Sequence, residues 1–343
     1  MPSESLLDLT LPELRERLGD APAYRADQIW QAIYSDLAEE ISAITTLPKA
    51  MRKRLGASLP LPALDPIRDE ETADGQTCKT LYRLADGETI ESVTMGFHDR
   101  ATICVSSQVG CAIGCPFCAT GRSGFVRDLS AGEIVAQVLR AAQLLRSRGE
   151  RLSNVVYMGM GEPLLNYDAV LRSIRILNDP EGFGLGARSF TVSTAGIVPG
   201  IDRLANEGLQ VNLAVSLHAA DDALRSRLVP VNRHYPIAEL LDACRRYAET
   251  TRRRITFEIA MIEEVNDRPE QASAVASLLS GLLCHVNLIP YNPPQEAKTR
   301  RSSKERMSAF AEVLSKAGLP VTIRLSVGSE IQAGCGQLRR RDR

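Results

Sequence analysis

Three cysteines lie within eight residues in the stretch "SSQVGCAIGCPFCATG": Cys111, Cys115 and Cys118. This spacing, with glycines around it, lets one compact loop direct three thiolates at a common centre. Structural zinc is normally bound by four ligands, usually as two separated Cys-x2-Cys pairs, and the chain has no second pair. A four-iron four-sulfur (4Fe-4S) cluster can be held by three thiolates, which leaves one iron open to a small ligand. The spacing therefore favours such a cluster over zinc, and over three buried thiols that act as small apolar side chains.

A second group of candidate residues follows the predicted strands. The stretch "YMGMGEPLLNYD" places Gly161 and Glu162 after a strand, where glycine allows close backbone approach and the carboxylate can accept from an ammonium group. Polar side chains follow other predicted strands: Ser193, Ser216, His218 and Asn292. Because binding sites gather at the carboxyl ends of parallel strands, these residues form a candidate site. For His218 the alternative is a core histidine with satisfied hydrogen bonds.

Length and composition restrict the class of protein. A chain of 343 residues suits one large domain with an accessory module, or two to three smaller domains. No segment approaches the roughly 20 apolar residues of a membrane span, and the first residues lack a secretory signal, so we expect a cytoplasmic protein with no membrane partner. The net charge is -1, but basic residues cluster within 49–54, 252–254, 298–306 and 339–343. These clusters are solvated faces or parts of a nucleic-acid surface.

The five cysteines outside the loop have different surroundings. Cys335 lies in "AGCGQL", where the flanking glycines predict an exposed and reactive thiol. Cys104 lies in the strand that leads to the cysteine loop, and the residues alone leave its role open. Cys244 and Cys284 lie in apolar segments and are predicted core residues, whereas Cys78 is assigned no role. No disulfide framework is expected, because cytosolic thiols are kept reduced.

Residue patterning predicts three regions. Residues 1–60 are predicted to form a helical N-terminal accessory domain. A Pro-rich seam, "LPLPALDP", opens a β hairpin or linker element over 61–98, with its turn at "DG". Over 99–343, apolar strands alternate with helical segments. About six such units and a further strand predict an α/β core built as a partial parallel (β/α)6-type barrel, with a doubly wound open sheet as the alternative.

The cysteine loop, with Phe117 before its last cysteine, resembles the cluster motif of radical S-adenosylmethionine (SAM) enzymes. In order and spacing, further segments resemble the RNA adenine methyltransferases of the RlmN and Cfr type: "RATICVSSQVGCAIGCPFCATGRSGFVRDLSAGEIVAQV", "VVYMGMGEPLLNYD", "TVSTAGIVPGI", "VNLAVSLHA", "VNLIPYNP" and "CGQL". The segments "YRADQIWQAIY" and "LPKAMRKRL" resemble that family's helical accessory domain, which implies an RNA-binding role for it. The resemblance covers nearly the whole chain.

The resemblance implies a 4Fe-4S cluster held by Cys111, Cys115 and Cys118, with exchangeable SAM on the open iron. An electron from the cluster would cleave the sulfonium and give a 5′-deoxyadenosyl radical, and two SAM molecules would be consumed per methylation. Carried over by motif, the SAM contacts are Gly161, Glu162, Ser193, Ser216, Leu217, His218 and Asn292.

The resemblance also implies roles for three further residues. Cys335 would first accept a methyl group from one SAM, and the radical from a second SAM would abstract hydrogen from that methylated sulfur. The resulting carbon radical would add to adenine, and Cys104 would resolve the covalent RNA–protein adduct through a Cys104–Cys335 disulfide. Glu91 matches the family position assigned as proton acceptor, whereas the residues alone favour a surface carboxylate on a strand.

The implied substrates are an adenosine in the peptidyl-transferase centre of 23S rRNA, protein-poor before ribosome assembly is complete, and the adenosine 3′ of the anticodon in tRNAs. An unstacked, single-stranded base can enter an enzyme pocket, which suits both sites. An electron-donor protein such as flavodoxin or ferredoxin and a monomeric state are also expected.

Three residues near Cys335 depart from the RlmN pattern. Ser326 and Val327 stand in place of a more basic pair, and Gly334 stands in place of alanine. The departures leave the target carbon open, with carbon 2 (RlmN type) favoured over carbon 8 (Cfr type, which gives antibiotic resistance). A non-catalytic RNA-binding metalloprotein is the remaining alternative, and an exposed Cys335 argues against it.

Overall fold

A ten-stranded sheet lies at the centre of the protein, in a computed structural model that describes residues 5–62, 64–97, 100–293, 299–324 and 328–338. The strands are β1 Leu64–Glu71, β2 Thr77–Leu84, β3 Thr89–Phe97, β4 Arg100–Cys104, β5 Gln108–Gly110, β6 Phe125–Asp128, β7 Leu152–Tyr157, β8 Phe190–Thr194, β9 Asn212–Ser216, β10 Ile255–Met261, β11 Cys284–Pro290 and β12 Val321–Ile323. β5 and β6 form a separate antiparallel ribbon, and the other ten lie side by side in chain order.

The sheet is parallel from β4 onward. β4 and β7 to β12 pair in parallel, and each strand lies beside the next one along the chain. The connections therefore wind in one direction, as in a barrel, whereas a doubly wound sheet reverses its order at a switch point. β1 and β12 lie at the two edges of the sheet within the described residues, so the barrel is open. The predicted partial parallel barrel is confirmed, and the doubly wound alternative is wrong.

Helices connect the strands and cover the sheet. They are α1 Leu11–Arg17, α2 Tyr24–Tyr34, α3 Lys49–Ser58, α4 Ala119–Arg122, α5 Ala131–Ser147, α6 Tyr167–Asn178, α7 Val198–Ala205, α8 Asp222–Leu228, α9 Ile237–Thr251, α10 Pro269–Leu278 and α11 Lys304–Lys316. α5 shows why they form: Ser130 caps the first turn by accepting from the Glu133 amide, and an apolar face follows. α7 and α8 are too short for the periodicity of their residues to indicate a helix from the sequence. No described helix is long and apolar enough to cross a membrane.

The predicted β hairpin is present and belongs to the main sheet. β2 and β3 pair antiparallel, and β3 pairs antiparallel with β4. In that second pairing Val93 lies opposite Cys104. β1 begins in the Pro-rich segment, where the prolines obscure the strand pattern, and it extends the hairpin by pairing with β2. The hairpin thus lies beside the strand that leads to the cysteine loop.

The N-terminal helices pack on the barrel. Trp30 on α2 is 1% exposed and shares one hydrophobic core with the barrel strands. The Asp8 carboxylate accepts from the Gly132 amide at 2.6 Å, at the start of α5. A carboxylate is favourable at a helix N-terminus, so this contact fixes the first residues on the core. The division into residues 1–60, 61–98 and 99–343 remains a prediction.

Candidate active site

The cysteine loop joins β5 to α4 and is closed by its own backbone. The Cys111 amide donates to Gly124 O at 2.9 Å, and the Cys118 amide donates to Cys115 O at 3.1 Å. Gly110, just before the loop, has a φ of +77°, and a Cβ there would lie 1.8 Å from Gly124 O. Only glycine fits where these two chain segments cross. The β5–β6 ribbon therefore determines where the cysteine loop begins.

Cys111, Cys115 and Cys118 line one pocket at the carboxyl ends of the parallel strands. Burial raises the pKa of the Cys111 thiol to about 12 and raises the pKa of Cys115 well above its usual value, and the charge of Cys118 adds to both shifts. Thiols in this situation ionise when a bound metal stabilises the thiolates.

Three cysteines around one pocket suit an iron–sulfur cluster. Cys111, Cys115 and Cys118 offer soft thiolate ligands of the kind that such a cluster binds, and each would bind a different iron. Three thiolates leave one iron of a four-iron cluster open to a small ligand. The chemistry of the donor set therefore fits a cluster of this kind.

Glu162, directly after the Gly159–Gly161 turn, lines the same pocket and is 3% exposed. Its Oε1 accepts from the Leu164 amide at 3.1 Å, and its Oε2 accepts from the Ala195 amide at 2.7 Å. Burial raises the pKa of Glu162 to about 7, although these hydrogen bonds oppose the shift. Gly161 has a φ of +104°, which favours glycine. Gly161 and Glu162 therefore present one fixed carboxylate to the pocket, which suits a ligand with an ammonium group.

Most of the other predicted contact residues meet at this pocket. The pocket is lined by Gly161, Ser193, Ser216, His218 and Asn292. His218 is buried with a φ of 58°, and its Nδ1 accepts from the Ala260 amide at 3.0 Å, so the ring hydrogen is on Nε2. Burial lowers the pKa of His218 to about 3, which keeps the ring neutral. Leu217 differs, because its side chain is fully buried and does not line the pocket in the described structure.

A buried arginine, Arg225, connects the ends of neighbouring strands through hydrogen bonds, and no pattern in the sequence indicated it. Arg225 on α8 is 0% exposed. It donates to four oxygens at 2.7 to 3.1 Å: the carbonyl oxygens of Ala195, Ser216 and Leu217, and Oδ1 of Asn232. Burial lowers the pKa of Arg225 to about 10, and the nearby Cys115 thiol opposes that shift. α8 has seven residues, too few for their periodicity to indicate that Arg225 is buried.

Cys335 and Cys104 come together although they are far apart in the sequence. Cys335 lines the pocket and is exposed. Desolvation by the surrounding protein raises the pKa of its thiol, and the Arg324 guanidinium opposes that rise. Burial raises the pKa of the Cys104 thiol to about 12, and the charge of Cys335 raises it further. Arg324 opposes the rise in the pKa of both thiols, and neither it nor Glu258, which also lines the pocket, was identified from the sequence.

Glu91 on β3 is 1% exposed, so the interpretation as a surface carboxylate is wrong. β3 is an inner strand between β2 and β4, which explains the burial. The Glu91 carbonyl accepts from Ser106 Oγ at 2.6 Å. Glu91 stands two residues before Val93, which lies opposite Cys104, so Glu91 and Cys104 are on the same face of the sheet. Glu91 does not line the pocket in the described structure, and its role remains a prediction.

The C-terminal loop, residues 328–338, is held on two sides. Ala119 and Thr120, directly after the cysteine loop, donate to its backbone carbonyl oxygens at 2.8 and 2.5 Å. Lys79 on β2 donates to a third carbonyl oxygen, that of Ile331. The hairpin and the cysteine loop therefore place Cys335 jointly.

One departure from the family pattern has a visible effect. At Gly334 a Cβ would lie 2.4 Å from Nδ2 of Asn292, so glycine lets the amide approach the loop. Ser326 and Val327 lie outside the described residues.

Comparison with known proteins finds relatives over nearly the whole chain. Residues 105–274 match the family model of the radical SAM superfamily. A probable dual-specificity RNA methyltransferase RlmN from Chloroflexus aurantiacus is 50% identical, over 98% of this chain and 93% of its own length. A protein of the same name from Frankia casuarinae is 52% identical, over 97% of this chain and 82% of its own. The crystal structure of a radical SAM methyltransferase from Sphaerobacter thermophilus matches with a TM-score of 0.97 and 55% identity, over 98% of this chain and 99% of that chain.

Proposed function

Since the chain belongs to the RlmN family of radical SAM RNA methyltransferases, we propose that it methylates carbon 2 of adenine in 23S rRNA and in tRNA. Membership of this family makes the protein an enzyme, a transferase of methyl groups. The observation that carries the proposal is the single pocket shared by the three-cysteine loop and Cys335. A non-catalytic metalloprotein has no use for a thiol there. The Cfr-type reaction at carbon 8 is not favoured, because the relatives carry the RlmN name.

Membership of the superfamily implies a 4Fe-4S cluster and SAM. When bound, these groups supply a 5′-deoxyadenosyl radical and a transferable methyl group, with two SAM molecules used per product. Cys111, Cys115 and Cys118 would hold the cluster as thiolates. Glu162 would accept hydrogen bonds from the ammonium group of SAM, since its carboxylate is fixed at the pocket wall. The remaining predicted contacts would bind the rest of the cofactor.

Cys335 would carry the one-carbon unit, and Cys104 would release the product. Arg324 supports this pairing, because its charge opposes the rise in pKa that burial causes at both thiols, which favours the nucleophilic thiolate. The Cys104 thiolate would attack the Cys335 sulfur. A disulfide would form as the bond between that sulfur and the RNA-bound carbon breaks. The electron pair of that bond would stay with the carbon, which would take up a proton and become the methyl group of the product. A transient disulfide of this kind is compatible with a reducing cytoplasm.

Glu91 would accept the proton that the target base loses. Its burial and its place on the same face as Cys104 support the assignment, because a base has to act close to the reacting carbon. Cys104 is the other group on this face that could take the proton.

RNA would reach the pocket across basic surfaces. Lys49, Lys53 and Arg54 are exposed on α3. Arg252 and Arg254 are exposed just before β10, at the amino end of that strand, so they would contact RNA at the end of the barrel away from the cysteine loop. Contacts with phosphate would position the RNA without reading its sequence. Lys298 and residues 339–343 lie outside the described residues. An electron-donor protein such as flavodoxin or ferredoxin would reduce the cluster, and the enzyme would act as a monomer in the cytoplasm on 23S rRNA not yet covered by protein.

Nucleoside mass spectrometry tests the proposal. The reconstituted protein is incubated anaerobically with SAM, a reductant and either 23S rRNA or tRNA, and the RNA is then digested. We expect 2-methyladenosine from both. A product found only as 8-methyladenosine would overturn the assignment of the carbon, and the absence of any methylated adenosine would refute the function.

Variants of the cysteines test the assigned roles. Cys335→Ala should abolish product while its cluster absorbance stays normal. Cys104→Ala should accumulate RNA covalently attached to the protein, seen as a slower band on a denaturing gel. Cys244→Ala is the matched control, because this thiol is buried on α9 and does not line the pocket in the described structure. Loss of the cluster in Cys335→Ala would contradict the division of roles.

A further inference from the structure

Glu258 on β10 carries an oxygen that accepts no hydrogen bond from the described residues. The residue is 4% exposed, and its Oε1 accepts from Nδ2 of Asn287 at 3.0 Å. Its Oε2 is buried and has no hydrogen-bond partner among the described residues. The Arg324 guanidinium lies 3.9 Å from Oε2, which is too far for a hydrogen bond. A buried acceptor without a donor is costly, so we expect a donor from outside the chain at this position.

Glu258 lies where two cavities meet. One is the pocket that contains the cysteine loop and Cys335. The other lies inside the barrel and is lined by Thr191, Asn212, Thr256 and Asn287, together with Arg252–Arg254. Glu258, Met158 and Arg324 line both cavities. Because alternate residues of a strand face the same side, Thr256, Glu258 and Ala260 all face this interior. Glu258 therefore forms part of the wall of the pocket that contains Cys335, which is the space that a reacting base would enter.

On the basis of the proposed function, we propose that Glu258 selects adenine at the target position by accepting a hydrogen bond from its exocyclic amino group. Asn287 holds the other carboxylate oxygen, which fixes the direction of the free one. Adenine presents an amino donor at carbon 6, whereas guanine and hypoxanthine present an oxygen there. Two oxygens facing each other without a hydrogen between them repel, so the same carboxylate would reject those bases.

Two adenines would enter the site, that of the RNA and that of SAM. Glu258 and Arg324 line the same pocket as Cys335, which carries the sulfur that the target carbon must reach. Most of the residues predicted to bind SAM lie at the ends of β7, β8 and β9, and Asn292 follows β11. None of them lines the second cavity in the described structure, whereas Glu258 and Arg324 do. We therefore assign Glu258 to the RNA base.

Synthetic RNA with one changed nucleotide tests this assignment. Hairpins carry adenosine, purine riboside or inosine at the target position, all of which keep the hydrogen on carbon 2. The ratio of kcat/KM for adenosine to that for purine riboside is measured for the reconstituted wild type, Glu258→Ala and the control Thr256→Ala, which changes the same face of the same strand. We expect the ratio to fall by about 10- to 100-fold in Glu258→Ala and to stay unchanged in Thr256→Ala. Comparison of ratios cancels differences in the intrinsic reactivity of the bases.

Glu258→Gln provides a second test that preserves the shape of the side chain. If its amide oxygen keeps the hydrogen bond from Asn287, the amide nitrogen replaces Oε2 and donates. We expect kcat/KM for inosine-containing RNA to rise relative to adenosine by about 10-fold or more. Both substrates are measured on one variant, so a loss of stability does not imitate this change.

Three results would count against the assignment. An unchanged ratio in Glu258→Ala, with no gain on inosine in Glu258→Gln, would mean that water or Arg324 satisfies the oxygen. A raised SAM dissociation constant in Glu258→Ala with an unchanged ratio would assign the residue to the adenine of SAM. Wild-type protein that methylates no adenosine-containing RNA would refute the proposed function and this assignment with it.

Discussion

Replacement of Arg225 by methionine should destabilise the folded protein. The change removes four hydrogen bonds from a charged donor, each worth about 1.5–3 kcal/mol. It also leaves the carbonyl oxygens of Ala195, Ser216 and Leu217 without their donor. Against this, an uncharged side chain avoids the desolvation of a buried guanidinium, which costs several kcal/mol. We therefore expect the free energy of unfolding to fall by about 3–5 kcal/mol.

The free energy of unfolding is measured by urea denaturation of the protein without cofactors, followed by circular dichroism. Arg225→Lys keeps the charge but offers one nitrogen in place of a planar fork, so it should lose most of the same stability. Arg245→Met is the matched control. Arg245 pairs with Asp242 at the surface, with side chains 48% and 60% exposed, and its replacement should change the free energy of unfolding by less than about 0.5 kcal/mol.

The reasoning would be refuted if Arg225→Met lost less than about 1 kcal/mol, the ordinary effect of a point mutation. Such a result would mean that water replaces the guanidinium and satisfies the strand-end carbonyl oxygens. The same variant should bind SAM weakly, because Ser216 and Ala195 belong to the pocket wall.

Three further predictions concern the pocket. Gly110→Ala should bind little iron on reconstitution, because its Cβ would lie 1.8 Å from a backbone oxygen, whereas Gly114→Ala, with a φ of +72° but open space around it, should retain most of its iron. The affinity for SAM, measured by calorimetry, should fall about tenfold for each pH unit below about 7. The pKa of Glu162 is raised to about 7, and the protonated carboxyl group cannot pair with an ammonium group. Glu162→Gln should bind weakly without this pH dependence, and a wild-type affinity independent of pH would contradict the role. Cys118→Ala should lose the brown colour of the iron–sulfur cluster and keep an unchanged circular dichroism spectrum, whereas the control Cys78→Ala should stay brown. A brown Cys118→Ala protein would exclude a cluster held by the three thiolates.

The parts of the site that depend on local sequence were predictable. The cysteine loop and the Gly161–Glu162 pair each follow a strand, and parallel strands bring their carboxyl ends to one edge. Cys335 was identified because glycines flank it. The barrel itself followed from the alternation of apolar strands with helices, since strands of this kind need cover on both faces.

The remaining parts depend on contacts between distant segments. Glu91 is buried because β3 lies between two other strands, and the alternating residues of a hairpin do not reveal that position. Arg225 is enclosed by carbonyl oxygens from two strand ends, which no periodicity in α8 indicates. Glu258 had one available signal, a carboxylate within the apolar segment "ITFEIAMI", because a strand buried on both faces is normally apolar.

The hydrogen bonds from Ala119 and Thr120 to the C-terminal loop have a consequence for how the enzyme matures. These donors directly follow Cys118, so a ligand that orders the cysteine loop also stabilises the segment that carries Cys335. By reciprocity, a well-seated C-terminal segment strengthens retention of that ligand. Iron-starved chains should therefore be trimmed by proteases first at the C-terminal end, which would remove Cys335 irreversibly. Iron supply would in this way set both how much of the enzyme is active and how long it survives.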